Sequence, residues 1–154
     1  LTVQEVRVST SGSAPVVVLQ EADGGRLLPI WMSAGGAAAI VSATEPPDPA
    51  RPGIHDLLND LLATLSSSLD QVRIVGFEDC QFFAELVLQG TVLAARPSDA
   101  IALALRVGCP ILCAEDVLDE ACVRLVPQAP EAPDDEVEKF REFLDSVNPD
   151  DFEP

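Results

Sequence analysis

The sequence predicts an α+β fold, and three observations predict it. Short apolar runs come in two groups of three, over residues 2–31 and 70–95, with turn residues between them; this is the pattern of antiparallel meanders. Helical periodicity is confined to segments between and after those groups, not interleaved strand by strand as a parallel α/β sheet requires. One further helix, opened by Pro97 and closed by Gly108, is apolar at every position from Ala100 to Leu105, so it has no polar face and belongs against a sheet. The expected architecture is two antiparallel meanders with packed helices in a single domain over residues 1–126. A proline-rich linker (127–133) and an acidic amphipathic C-terminal helix and tail (134–154) follow.

Thr2 to Ser9 alternates in part, with Val6 and Val8 on one face, and reads as the first strand. The small residues Ser11 to Ala14 turn the chain. Pro15 to Glu21 is an almost unbroken β-branched run, a strand expected to be covered on both faces. Asp23-Gly24-Gly25 is a hairpin signal, and Arg26 to Trp31 returns as the third strand. Ser33 is placed to cap a helix running through Gly35-Gly36 to Val41, whose glycines each cost about 1 kcal/mol relative to alanine and should loosen its first turn. Four prolines between Glu45 and Pro52 make that stretch a loop. His55 to Leu65 carries Leu58, Leu61, Leu62 and Leu65 at helical spacing, with Asp56, Asn59 and Asp60 expected outward. It reads as an amphipathic helix packed on a sheet.

Asp70 to Phe77, Gln81 to Leu88 and Thr91 to Ala95 form the second meander, turned at Glu78-Asp79-Cys80 and Gln89-Gly90. Pro97 then suits a first helical position, where its missing N–H had no partner to lose. Arg96 becomes the N-cap, and Asp99 falls in the first turn, where the helix dipole favours a carboxylate. Gly108 and Pro110 supply the stop. The N-terminus of this buried helix thus presents Arg96, Ser98 and Asp99 together, with Ser98 read as a capping hydroxyl. Pro110 to Ala114 is a short buried strand, and Asp116 to Cys122 a short helix. Beyond the linker, Val137, Phe140, Leu144 and Val147 are spaced 3-4-3, a stripe able to dock on the body or a neighbouring subunit.

The formal net charge is −17; residues 131–154 hold ten acids and two bases, so the body alone carries −9. That argues against the basic patch of a generic nucleic-acid binder. No apolar run approaches the roughly 20 residues of a membrane span. The N-terminus reads as a strand rather than a signal peptide; a cytoplasmic location without membrane contact is expected. Cys80, Cys109, Cys113 and Cys122 form no Cys-x-x-Cys pair. Cys109 and Cys113 in an extended segment would lie about 13 Å apart, too far for one zinc ion or one disulfide. Free thiols are expected.

Leu28-Pro29-Ile30-Trp31, Arg51-Pro52-Gly53-Ile54-His55-Asp56-Leu57-Leu58, Ala95-Arg96-Pro97-Ser98-Asp99-Ala100-Ile101-Ala102-Leu103 and Pro110 to Ala121 stand in the order of the bifunctional nuclease family. The chain resembles that family over roughly residues 3–126, and its tail from Glu138 to Phe152 resembles actinobacterial members. The resemblance implies an α+β fold, oligomers, and cleavage of both DNA and RNA. The sequence departs from the family pattern at three polar positions. Gly36 stands where a Glu is usual, Ala94 where an Asp is usual, and Ile54 where a Thr is usual. Restoring Gly36→Glu and Ala94→Asp is expected to raise activity if the site is otherwise intact.

The candidate catalytic residues are His55, Asp56 and Asp99. His55 is the sole histidine, and an imidazole suits general-base work because it titrates near neutrality; its bland role is to begin a helix. Asp56 and Asp99 are candidate ligands of a Mg²⁺ or Mn²⁺ ion, against plain helix-dipole and ion-pair roles. Arg51 and Arg96 are candidate phosphate clamps, and Trp31 a candidate base-stacking residue or else a core indole. Two function classes follow: a weak metal-assisted nuclease, or a catalytically inactive relative serving as a binding or regulatory subunit. Convergence of His55, Asp56, Arg96 and Asp99 on one cleft discriminates between them. The β-branched early strands should not leave an edge bare, so a two-fold homodimer is the expected assembly.

Overall fold

The apolar runs of the first thirty residues form β1 (Thr2–Arg7), β2 (Val16–Gln20) and β3 (Arg26–Trp31), antiparallel and paired in sequence order. The computed structural model describes residues 2–7, 14–22 and 25–124. The expected linker and C-terminal helix lie outside them, as do most of the Ser11–Ala14 turn and Asp23-Gly24. Within β2 the pattern alternates: Val17 and Leu19 are fully buried, while Val16 and Val18 are half-buried. The strand therefore has one core face, not the two that its β-branched run suggested. A two-residue strand too short to read in the sequence, β8 (Val123–Arg124), closes the other edge of β3, with Arg26 opposite Arg124 and Leu27 opposite Val123.

The second sheet has the order β6-β5-β4-β7. Strands β4 (Gln71–Glu78), β5 (Gln81–Leu88) and β6 (Thr91–Ala95) are the expected antiparallel meander. Its two hairpin turns carry positive φ at both central residues, 49° and 61° at Asp79-Cys80 and 46° and 84° at Gln89-Gly90. Such turns match the twist of the flanking strands. Strand β7 (Ile111–Cys113) lies parallel to β4. Helix α3 (Pro97–Val107) carries the chain back before β7 begins, which is what a parallel pairing needs.

Helix α3 is the centre of the core. Ala100, Ile101, Ala102, Leu103 and Ala104 are all buried in one cluster with Val17, Leu28, Ile40, Val72 and Ile74, so both sheets and helix α1 (Ala34–Thr44) share it. Arg96 is its N-cap residue and Pro97 occupies the first turn. Gly108 closes it at φ 78°, donating its N–H to the Ala104 carbonyl at 2.8 Å. Helix α1 starts as expected, Ser33 Oγ accepting from the Gly36 N–H at 3.2 Å. It then crosses α3 with Gly36 against Ser98. A Cβ at position 36 would stand 2.7 Å from the Ser98 Cβ and 2.9 Å from its Oγ. The N-cap of α3 is Arg96, and Ser98 is a buried residue packed against Gly36 rather than the capping hydroxyl that was expected.

Helix α2 (Ile54–Thr64) corrects the sequence reading most. It contains no fully buried residue, and it packs on α3 rather than on a sheet. Asp56 and Asn59, expected outward, are half-buried, whereas Leu57, Leu58, Leu61 and Leu65 are exposed; only Leu62, which packs on the core, and Asp60, which is exposed, lie as expected. The cause is a cation on α3: Arg106 draws Asp56 inward, and the opposite side of the helix turns out with it. Helix α4 (Glu115–Ala121) is fastened to β3 by Arg26, whose guanidinium meets Glu115 and Glu21 at 2.6 Å each and Asp119 at 3.3 Å. All four cysteines are free, and burial pushes the Cys113 thiol up to about 11. No helix among the described residues is long and apolar enough to cross a membrane.

Candidate functional site

The proline-rich loop at 45–53 delivers the chain to the N-terminus of α2, and this local folding sets His55 and Asp56 on two sides of one helix. Gly53 has no side chain to cap α2; instead Asp56, three residues on, reaches back so that its Oδ2 accepts the Gly53 N–H at 2.8 Å. Its other oxygen, Oδ1, stands 2.6 Å from Arg106 Nε, with side-chain exposures of only 11% and 9% for the pair. The contact is an ion pair whose angle falls short of a hydrogen bond, since Oδ1 has no hydrogen-bond partner. Arg106 also donates Nη2 to the Ser42 carbonyl at 2.7 Å and Nη1 to the Glu45 carbonyl. One guanidinium at the end of α3 thus fastens the last turn of α1 and the first turn of α2.

His55 faces the opposite end of α3. Its Nε2 lies 3.8 Å from Asp99 Oδ1, and Asp99 Oδ2 accepts from Arg96 Nε at 2.6 Å. The imidazole is 12% exposed, Asp99 37% and Arg96 78%, so the three grade from interior to solvent. At 3.8 Å the His55–Asp99 contact is too long for a hydrogen bond, but it places a negative charge where an imidazolium would form. The bonded carboxylate of Asp99 raises the pKa of Arg96 further above its ordinary value.

Arg96 also lines a cleft of about 300 Å³ together with Trp31, Ser33, Cys80, Gln81 and Ser98. Trp31 is 61% exposed. It ends β3 with its indole at the surface, not in the core, so a flat apolar face and a guanidinium border the same opening. A second cleft of about 300 Å³, floored by Gly35, Ala38, Ala39 and Ser42 of α1, is bordered by His55, Asp56 and Arg106. Arg51 stands exposed on the 45–53 loop and lines neither cleft.

His55, Asp99 and Arg96 therefore come together, and Trp31 joins them through Arg96. Asp56 adjoins His55 in sequence, yet its carboxylate is committed to Arg106 and the Gly53 amide. The two candidate metal ligands are engaged by different arginines, and the described residues hold no group of three or more His, Cys, Asp or Glu side chains able to share an ion. A Mg²⁺ or Mn²⁺ ion asks for several oxygens around one point; this donor set, as arranged, does not fit it. Neither Gly36 nor Ala94 supplies a donor to this set. Position 36 is filled by Ser98, so the expected restoration by Gly36→Glu has no room. Ala94 is exposed and registers opposite Glu85, which is paired to Arg73 at 2.7 Å.

Arg106 is the residue that sequence reasoning missed. The signal was present: a cation in the last turn of an otherwise apolar helix is rarely buried unless it is paired.

The comparisons with known proteins agree with the order of motifs along the chain. Residues 17–125 match the bifunctional nuclease domain. Two relatives from Mycobacterium tuberculosis are each 46% identical over 153 residues, covering 96% of this chain and 93% of theirs: the uncharacterized protein MT1877 of strain CDC 1551 / Oshkosh and the uncharacterized protein Rv1829 of strain ATCC 25618 / H37Rv. The matched span runs from β2 to the end of β8 and takes in α2, α3 and every residue of the His55–Asp99–Arg96 series, so this chain belongs to the bifunctional nuclease domain family.

Proposed function

We propose that this chain cleaves phosphodiester bonds of nucleic acid, slowly, with His55 as general base, Asp99 orienting it and Arg96 meeting phosphate. The observation that carries the reading is the series His55 Nε2 to Asp99 at 3.8 Å and Asp99 to Arg96 at 2.6 Å, opening to solvent beside Trp31. A base, a carboxylate beside it and a partly free cation are what a phosphoryl-transfer site needs at minimum.

RNA is the substrate these groups can cleave unaided. His55 takes the proton of a ribose 2′-hydroxyl, and O2′ attacks the adjacent phosphorus. The P–O5′ bond breaks, and O5′ leaves with a proton from water, giving a 2′,3′-cyclic phosphate and a 5′-hydroxyl. Asp99 stabilises the imidazolium as it forms, and Arg96 faces the phosphorane charge. DNA offers no internal nucleophile, so its cleavage requires an activated water and is slower here. The body's −9 charge opposes the approach of any phosphate backbone, which keeps turnover low at moderate salt.

The test is a pair of fluorogenic oligonucleotides of one sequence, RNA and DNA, each with Mg²⁺, Mn²⁺ or EDTA. RNA cleavage that persists in EDTA and leaves cyclic-phosphate ends is expected. His55→Ala should lower it by about 10²-fold or more, the usual worth of a general base, and Asp99→Ala by less. Full activity in both variants would overturn the assignment. The departures at Gly36, Ala94 and Ile54 favour a second reading, a non-catalytic binding subunit; RNA left intact by the unmodified chain, with or without metal, is its signature.

A further inference from the structure

The cleft beside Arg96 is built where three segments of the chain end or turn. Trp31 closes β3, Asp79-Cys80 turns β4 into β5, which Gln81 begins, and Arg96 with Pro97 opens α3. Three of its side chains hold chemistry that the fold does not use. The indole of Trp31 is 61% exposed and stacks on no other aromatic ring among the described residues. Arg96 gives Nε to Asp99 and keeps both Nη groups free of partners among the described residues. Gln81 is exposed; its carboxamide, a donor and an acceptor side by side, is bonded to no described residue.

We propose that this cleft is the nucleobase subsite for the nucleotide on the leaving side of the scissile phosphate. Trp31 stacks the base, Gln81 meets its polar edge, and Arg96 holds its 5′-phosphate. A flat apolar ring, an amide edge and a cation are the contacts by which proteins grip one unpaired nucleotide, and a volume of about 300 Å³ suits a small molecule. The order of the groups sets the side. His55 is the buried end of the series and Arg96 the solvent end, and the cleft lies beside Arg96, not beside His55. In the cleavage proposed above, the attacking 2′-hydroxyl meets His55 and the phosphorus faces Arg96. The next nucleotide, joined through O5′, then falls in the cleft. That choice of side rests on the cleavage reading; the binding of a base does not. Because the body carries −9, a mononucleotide, with one phosphate to bring past it, is the appropriate probe.

Trp31 is the sole tryptophan and the chain has no tyrosine, so its indole emission reports on this cleft alone. Adenosine 5′-monophosphate, titrated without metal to about 10 mM, should quench that emission saturably, whereas ribose 5-phosphate should not. Adenosine 3′-monophosphate, which carries its phosphate on the other side of the ribose, should bind more weakly. The 5′-nucleotide should also slow alkylation of Cys80, whose exposed thiol lines the same cleft. Trp31→Ala, at an exposed side chain, should raise the concentration needed for that protection at least about tenfold. Gln81→Ala should weaken quenching about threefold, and an unchanged affinity there overturns the role of Gln81. Emission unmoved by the 5′-nucleotide, equal quenching by ribose 5-phosphate, or protection that Trp31→Ala leaves unchanged overturns the subsite. Equal binding of the 3′ isomer overturns its side. RNA left intact by a chain that binds the nucleotide refutes the cleavage, and the side with it, but not the base subsite; RNA cut by a chain that does not bind it refutes the subsite alone.

Discussion

Adjacent glycines in α1 should respond to the same substitution with opposite signs. Gly35 is exposed, and a Cβ there meets nothing within 4 Å. Gly35→Ala therefore keeps only the helix-propensity gain and should stabilise the protein by about 0.5–1 kcal/mol. Gly36→Ala makes the same gain but drives a Cβ to 2.7 Å from the Ser98 Cβ, an atom held by the backbone of α3 and unable to swing away. The two helices must then move apart over a core that contains Ile40 and Ile101. Overpacking of this kind costs about 1–3 kcal/mol, so the net effect should be a loss of roughly 1–2 kcal/mol. Urea unfolding reads both changes. With a slope of about 1–3 kcal/mol/M, the midpoints of the two variants should separate by about 0.5–3 M. Adding Ser98→Gly to Gly36→Ala removes the clash and should recover about 1 kcal/mol relative to additivity. Equal stabilisation by both alanines would refute the claim that Gly36 sets the α1–α3 distance. Gly36→Glu adds a buried carboxylate to the same clash and should unfold the domain further rather than raise its activity.

Arg106→Met should destabilise by about 3–5 kcal/mol, because it leaves Asp56 buried without its cation, whereas Arg96→Met, at a side chain 78% exposed, should cost under about 1 kcal/mol; chemical denaturation compares them. Thiol titration of the native protein at pH 8 should find Cys80, which is exposed, reacting first. Burial raises the Cys113 pKa to about 11 and also raises that of Cys109, so at pH 8 both stay protonated and slow, and Cys113 should accelerate only as pH climbs toward that value or the chain unfolds.

Much of the fold was legible because its signals are local. Pro97 and Gly108 bound α3 through backbone geometry that proline and a left-handed glycine dictate alone. Ser33 capped α1 from three residues away. The strands of the second meander begin and end where turn residues with positive φ stand, at Asp79-Cys80 and Gln89-Gly90. Grouped strands and a wholly apolar helix were enough for the α+β class, since neither depends on which element meets which. The family motifs likewise sit in contiguous stretches, and they placed His55, Arg96 and Asp99 among the candidates before their proximity was known.

What the sequence could not supply was which of several equivalent faces would win. Helix α2 has leucines on one side and Asp56 with Asn59 on the other; periodicity alone favours burying the leucines. A cation 50 positions later, Arg106, reverses that choice, because a charged side chain only 9% exposed must meet a carboxylate and carbonyl oxygens. The same non-local contact withdraws Asp56 from any site shared with Asp99. Strand β7 pairs parallel to β4, and β8 completes the first sheet from two residues; both depend on where α3 and α4 return the chain. Trp31 lies at the surface because the alternation that buries Leu28 and Ile30 turns it to the outer face of β3. Local chemistry chose the elements and their ends, while long-range charge pairing and close helix contact chose the faces they present.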